Sequence, residues 1–306
     1  MAATVESRLP PLHGATGWLN SEPLTPAGLL GKVVLVDFWT YTCINWLRTL
    51  GYVRAWAHAY ADDGLVVIGA HTPEFWFERE VENVRWAAQT MNVDYPIAID
   101  SEYAVWDAFA NRYWPAVYIA DKEGRIKHHH FGEGGYEECE RVVQGLLGVK
   151  GRDFVSVADE GFEAQADWSN LKSPETYLGW ERADRRDEDS TRLRLNHWAL
   201  SGDWTEQPQG VALTEGAGGI VFRFHARDVN LVMGPPDRGA SVRFRVLVDG
   251  EPPGDAHGLD VDEQGRGTAD RQRVYQLVRE PESIADRTFE ITFDGPGIEA
   301  NVFTFG

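Results

Sequence analysis

The hydrophobic period of this 306-residue chain changes near Gly148, and that change limits its possible folds more than any other feature. Before it, strand-length apolar runs alternate with stretches of helical spacing. Lys32 to Trp39 (KVVLVDFW) reads as a buried strand, and Cys43 to about Tyr60 carries Leu47, Leu50, Val53, Ala57 and Tyr60 at near-helical spacing. The pattern repeats after the Asp63-Gly64 turn, with a strand over Leu65–Ala70 and a helix from about Glu74 to Met91. YPIAID, a helix around Tyr103–Asn111, a hairpin turning at Lys122-Glu123-Gly124 and a helix from about Glu137 to Leu147 complete the first half. Alternation of this kind predicts an α/β fold with a mixed sheet covered on both faces.

After Gly148 the chain turns polar, with a charge cluster from Arg182 to Arg192 that reads as an exposed loop. Beyond it, GIVFRFHA, VRFRVLVDG, QRVYQLV, RTFEITFDG and NVFTFG each alternate apolar and polar residues between Gly, Pro and Asp turns. Phe222 and Phe224 face one side, Arg223 and His225 the other. Short alternating strands without intervening helices predict an all-β sandwich of jelly-roll type. The expected organisation is residues 1–150, a linker over 151–171 and a β-sandwich over 172–306.

The 12 tryptophans and 43% apolar content fit two packed cores. A net charge of −19 argues against nucleic acid and anionic membrane as partners. No window approaches a membrane span, and MAATVESRLPPLHG lacks the basic and apolar regions of a leader. The chain as written reads as cytoplasmic, or as extracytoplasmic if it is processed or excised from a longer one. No glycine-rich phosphate loop follows a strand, and no cofactor is expected. Two cysteines, Cys43 and Cys139, exclude a disulfide framework and a cysteine-built metal site.

Cys43 follows the first buried strand and opens a helix. The first turn of a helix offers unpaired N–H groups and the positive end of the dipole, which favour thiolate over thiol. Thr40 and Thr42 can donate hydrogen bonds nearby, and Trp39 and Tyr41 can wall the site. Cys139 lies three, four and seven residues before Val142, Val143 and Leu146, on the apolar face of the last helix, and reads as core.

The stretches VVLVDFWTYTCINWLRTLGYVRAW, GLVVIGAHTPEF and NRYWPAVYIADKEGRIKHHHFGEGGY, with SPETYLGW, LNHWALSGDW and FRFHARDVNLVMGP further on, resemble the C-terminal region of DipZ-type proteins. These are relatives of the TlpA and ResA thiol oxidoreductases with an appended carbohydrate-binding-module-like β-domain. The resemblance implies a thioredoxin-like fold in the first half, thiol-disulfide chemistry at Cys43 and a cis-proline segment at Pro115 shaping a substrate groove, which in this chain Trp39, Tyr41, Trp46 and Trp114 are expected to line. It implies thiol or disulfide partners, protein or small molecule, and a carbohydrate as a further partner of the β-domain.

The family pattern is Cys-Ile-Asn-Cys, whereas this chain has Cys43-Ile44-Asn45-Trp46, and Gly51 stands where relatives have a helix-kinking proline. A mixed disulfide needs a second thiol for its resolution, which Trp46 cannot supply. Three readings stay open: a monothiol centre acting on a disulfide or peroxide and resolved by an external thiol reductant, a redox-inactive module binding through the old groove, and a reversible redox sensor. Thr40-x-x-Cys43 resembles part of the peroxiredoxin signature, but Val36 stands where its proline belongs.

His71, at the end of the second strand, is a candidate base for Cys43 or a loop and capping residue. His128, His129 and His130 alternate across a strand and cannot converge on a metal. Asp260-x-Asp262-x-Gln264 begins like a calcium loop, but Arg271 stands at the required twelfth position. Trp180, Trp198 and Trp204 suit either sugar stacking or packing. Glu78, Arg79, Glu80 and Glu82 read as a solvated helix face.

Overall fold

The structure, a computed structural model, describes residues 7–281 and 284–306; part of the N-terminal stretch read for a leader, residues 1–6, lies outside them. The chain forms two compact units, one ending at Ala164 and one beginning at Gln165.

The first unit runs β1 (Gly17–Leu19), α1 (Pro26–Leu29), β2 (Val33–Trp39), α2 (Ile44–Ala59), β3 (Leu65–His71), α3 (Val81–Thr90), β4 (Ile97–Ile99), α4 (Ala104–Ala108), β5 (Ala116–Ala120), β6 (Ile126–Phe131) and α5 (Tyr136–Leu147). Its six strands lie in the order β1-β4-β3-β2-β5-β6. β2, β3 and β4 are parallel, while β1, β5 and β6 join antiparallel. All seven residues of β2 are buried, because helices cover both faces. Val34, Val36 and Phe38 share a core with Leu29 of α1 and Val105 of α4. The alternate residues, Asp37 and Trp39 among them, take the face that Trp46 of α2 covers.

The expected helix from Glu74 to Met91 is broken. A 3-10 turn spans Trp76–Arg79 and α3 begins at Val81, so Glu78 points inward rather than lying on a solvated face. The short β1 was not anticipated.

The 151–171 stretch is not a free tether. The backbone N–H of Val155 donates to both Glu140 carboxylate oxygens, at 2.9 and 3.2 Å, and Arg54 holds Glu163 at 2.6 Å. At Gly51 of α2 a side chain would collide with those of Val157 and Glu163, so the missing Cβ lets this segment lie against the helix. Residues 165–171 belong to the second unit, where Leu171 packs against its core.

The second unit contains β7 (Thr176–Tyr177), β8 (Trp198–Glu206), β9 (Val211–Phe224), β10 (Asp228–Gly234), β11 (Val242–Val248), β12 (Arg266–Ala269), β13 (Arg273–Arg279), β14 (Arg287–Phe293) and β15 (Glu299–Phe305). The strands hydrogen-bond in the order β12-β11-β14-β9-β15-β10-β13 as one continuous antiparallel sheet. The 14-residue β9 joins its halves, pairing β15 through Val211 and Ala212 and β14 from Gly218 to Phe224. The sheet curls over a core that includes Phe222, Phe224, Leu231, Tyr275, Phe289 and Phe303.

Candidate functional site around Cys43

The register of the sheet gathers the sequence-predicted residues at one edge. Trp39, the last residue of β2, pairs with His71, the last of β3, and Phe38 pairs with Ala116, the first of β5. Cys43 follows β2 and Pro115 precedes β5, so both lie beyond this edge. The Trp114–Pro115 peptide bond is cis. Local hydrogen bonds hold the edge together: the Thr72 N–H donates to the Trp39 carbonyl at 3.0 Å, the Trp114 indole to the Thr72 carbonyl at 3.1 Å, and the Gly132 N–H to the Pro115 carbonyl at 2.9 Å.

Cys43 is the N-cap of α2, in an extended conformation at φ −73° and ψ 109°, and is partly exposed. Its N–H donates to the Thr40 carbonyl at 3.2 Å. No side chain caps α2, and its first turn carries no acidic residue. The positive end of a 16-residue helix is therefore directed at the thiol, the electrostatic setting that favours thiolate.

Three residues on, Trp46 is fully buried. Its ring stacks on Trp39 with centroids 4.3 Å apart, and its indole N–H donates to Asp37 Oδ2 at 2.9 Å. The position where relatives carry a second thiol is thus a tryptophan bonded to a buried carboxyl. Burial pushes the Asp37 carboxyl up to about 7, against the lowering effect of the Trp46 hydrogen bond. Gly69, paired with Asp37, leaves room for the Trp39 indole, since a side chain there would meet that ring and Tyr95.

The aromatic groove is corrected by these positions. Trp39, Tyr41 and Trp46 have no exposed surface, because Trp39 and Trp46 fill the layer between β2 and α2 while Tyr41 packs against His71, Phe77 and Trp86. Pro115 is also buried and Trp114 is partly exposed, with its ring 4.3 Å from that of Trp106. His71 is neither a loop residue nor a capping one. It is fully buried within β3 with its ring edge-on to Trp39, and burial takes its imidazole down to about 3, leaving it neutral at physiological pH. Both His71 ring nitrogens, the Tyr95 hydroxyl, the Trp39 indole and Asp37 Oδ1 lack a hydrogen-bond partner among the described residues.

Thr42, buried beside Cys43, leads to a residue that sequence reasoning misassigned. Its hydroxyl donates to Glu78 Oε1 at 2.7 Å and its N–H to the same oxygen at 3.3 Å. Glu78 Oε2 accepts from the N–H groups of Glu74 and Phe75 at 2.7 and 2.9 Å. Burial raises the Glu78 carboxyl to about 7, against the lowering effect of the hydrogen bonds from Thr42 and the Phe75 amide. Asp37 carried one legible signal, an acidic residue inside an otherwise apolar strand; Glu78 carried none, since its neighbours are charged.

Cys139 is buried as expected, with Sγ 3.6 Å from His128 Nε2, and burial pushes its thiol up to about 12. Neither cysteine is in a disulfide. No cluster of metal-binding side chains occurs among the described residues. Asp260 pairs with Arg273, and Asp262 accepts the backbone N–H groups of Gln264 and Arg266, as an acidic turn does. Trp198 is fully buried and offers a sugar ring no face; the Trp204 ring stands edge-on to Phe293, and Trp180 is exposed.

Residues 173–306 match the family described as a thioredoxin like C-terminal domain. Protein DipZ of Mycobacterium bovis and that of Mycobacterium tuberculosis are each 39% identical over 273 residues, covering 82% of this chain and 38% of theirs. The thiol-disulfide oxidoreductase YkuV of Bacillus subtilis is 32% identical over 140 residues, 45% of this chain and 93% of its own. The chain belongs to the thioredoxin-like family. A solution structure of a thioredoxin-like protein in the oxidised form, 31% identical, aligns over 47% of this chain and 96% of its own with a TM-score of 0.44. The DipZ resemblance drawn from motifs in both halves is borne out by the matches to protein DipZ over 82% of the chain. This thioredoxin-like protein spans 38% of the length of the DipZ proteins it matches, and among the described residues no helix is long and apolar enough to cross a membrane.

Proposed function

We propose that the first unit is a monothiol redox protein in which Cys43 is the nucleophile and an external thiol completes the cycle. The observation that carries this reading is a partly exposed cysteine at the uncapped N-terminus of α2 with a buried tryptophan in place of the resolving thiol. With a disulfide substrate, the Cys43 thiolate attacks one sulfur, forming a mixed disulfide and releasing the other sulfur as thiolate. An external thiolate then attacks the mixed disulfide, returning Cys43 as thiolate and leaving with the substrate sulfur as a new disulfide. With a peroxide, Cys43 takes one oxygen to become a sulfenic acid while the peroxide leaves as alcohol or water. An external thiol condenses with the sulfenic acid, water departs, and a second external thiol reduces the disulfide that forms.

Cys139 does not serve as resolving thiol in this scheme, because a thiol pushed up to about 12 in the core is neither ionised nor reachable. The redox-inactive alternative loses most of its binding wall, since Trp39, Tyr41 and Trp46 are interior.

Trp46→Cys tests the reading. Once circular dichroism shows the variant folded, its rate of insulin-disulfide reduction with dithiothreitol is expected to exceed that of the parent by about tenfold, because intramolecular resolution replaces a bimolecular step. A folded variant that gains no reductase activity would contradict the proposal that resolution alone is missing.

A further inference from the structure

We propose that Glu78 is a positioning residue for Cys43: its buried carboxylate ties Thr42, the residue before the thiol, to the segment that follows β3, and so sets how the thiol is presented. The proposal rests on the reading of Cys43 as a nucleophile, and it deepens that reading by naming a group that governs the site without touching substrate.

The geometry is specific to a carboxylate. Glu78 has no exposed surface, and four donors converge on its two oxygens: the N–H and hydroxyl of Thr42 on Oε1, and the N–H groups of Glu74 and Phe75 on Oε2. Only a group with acceptors at both ends satisfies both sides. Glutamine can turn its oxygen to Glu74 and Phe75, but its amide nitrogen then faces the Thr42 N–H, donor against donor. The Thr42 hydroxyl can turn to accept from that nitrogen, so Glu78→Gln breaks one link, at the backbone of Thr42, and spares the rest. That backbone continues directly into Cys43 and the N-terminus of α2.

A negative charge here also opposes the helix dipole at the thiol, so the ionisation of Glu78 is expected to reach Cys43 electrostatically as well as through the chain. The groups bearing on Glu78 are few. Glu74, on the same loop, raises its carboxyl, and Tyr103, before α4, is raised first by burial and then by Glu78 and Glu74 against the lowering effect of Arg79. Asp100 adds to the effect on Tyr103, and His71, behind the Tyr41 ring, stays neutral above about 3. Cys43 is itself titratable, so the Thr42 amide is also followed in a Cys43→Ser background, where the thiol's own ionisation is absent, and Asp37→Asn separates any contribution from Asp37.

The test uses the full chain. Backbone amide shifts of Thr42 and Cys43 and the iodoacetamide rate at Cys43 are followed from pH 5 to 9 in the parent, Glu78→Gln and Glu140→Gln. Glu140 is the control: another buried carboxylate with several donors, the indole of Trp56, the hydroxyl of Tyr60 and the N–H of Val155, and no contact with Thr42. The expected result is an inflection near pH 7 in the Thr42 amide that survives Cys43→Ser, disappears in Glu78→Gln and persists in Glu140→Gln, with a change of about threefold or more in the iodoacetamide rate at fixed pH in Glu78→Gln and not in Glu140→Gln. If Cys43 is unreactive throughout while both amides titrate and lose the inflection in Glu78→Gln, the positioning role stands and the nucleophile reading falls. Amides of Thr42 and Cys43 that respond neither to pH nor to Glu78→Gln overturn the proposal, whatever the alkylation rate.

Discussion

Trp46→Ala is expected to destabilise the first unit by about 3–5 kcal/mol, the range for removing a large aromatic side chain from a core. Three losses coincide there: the stack on Trp39 at 4.3 Å, the filled space beneath α2, and the one indole donor to Asp37. Trp46→Phe separates them. It keeps most of the volume and the stack but leaves Asp37 Oδ2 without its donor, costing about 1–3 kcal/mol. That cost grows above pH 7, where an ionised Asp37 needs the donor most. Urea unfolding at pH 5 and pH 8, read by tryptophan fluorescence, measures both variants. A Trp46→Ala loss below about 1 kcal/mol would show that Trp46 is not the core element described.

The second large effect is a pH dependence that Asp37→Asn removes. In the folded chain the Asp37 carboxyl keeps its proton to about 7, whereas unfolded it loses it near 3.8. Between those values the native state binds the extra proton, so this group's contribution to stability falls as pH rises and is lowest above about 7. The gap corresponds to about 4 kcal/mol at most. Glu78, raised from 4.5 to about 7, acts in the same direction. His71 acts oppositely: held neutral down to about 3 against 6.5 when unfolded, it makes stability rise with pH across that interval. Two carboxyls against one imidazole leave a net fall of about 1.4 kcal/mol per pH unit between about pH 4.5 and 6.5 from these three groups. Asparagine can still accept from Trp46 but has no proton to lose, so Asp37→Asn should cancel that slope. Unfolding free energies across pH 4.5 to 8 check this; a variant-minus-parent difference that stays flat would place the dependence elsewhere.

Much of the architecture was legible because it follows from period. The strand at β2, the helix opening after Cys43, the β5–β6 hairpin and the alternating strands from β9 onward all announce themselves through apolar spacing and turn residues. Cys43 and Pro115 were found by motif, and the sheet register brings them to one edge. The interior of the site was harder to read. A tryptophan beside a cysteine looks the same in sequence whether it lines a groove or fills a core, and Trp39, Tyr41 and Trp46 fill the core. Glu78 sits among Glu80, Glu82 and Arg79, so local composition pointed to solvent. A 3-10 turn over Trp76–Arg79 instead rotates it inward onto Thr42. Such assignments depend on which backbone N–H groups need a partner, and that is set by tertiary contact rather than by local propensity.

The central claim is that Cys43 is a reactive thiol that has lost its internal resolving partner and not its nucleophilicity. Iodoacetamide labelling at Cys43 as a function of pH, with Cys43→Ser as the blank and peptide mass spectrometry as the readout, tests it most directly. The account predicts rapid labelling of Cys43 already at mildly acidic pH, with Cys139 unlabelled in the folded protein. A Cys43 that reacts no faster than Cys139, or only well above the ordinary thiol range near about 8.5, would contradict it.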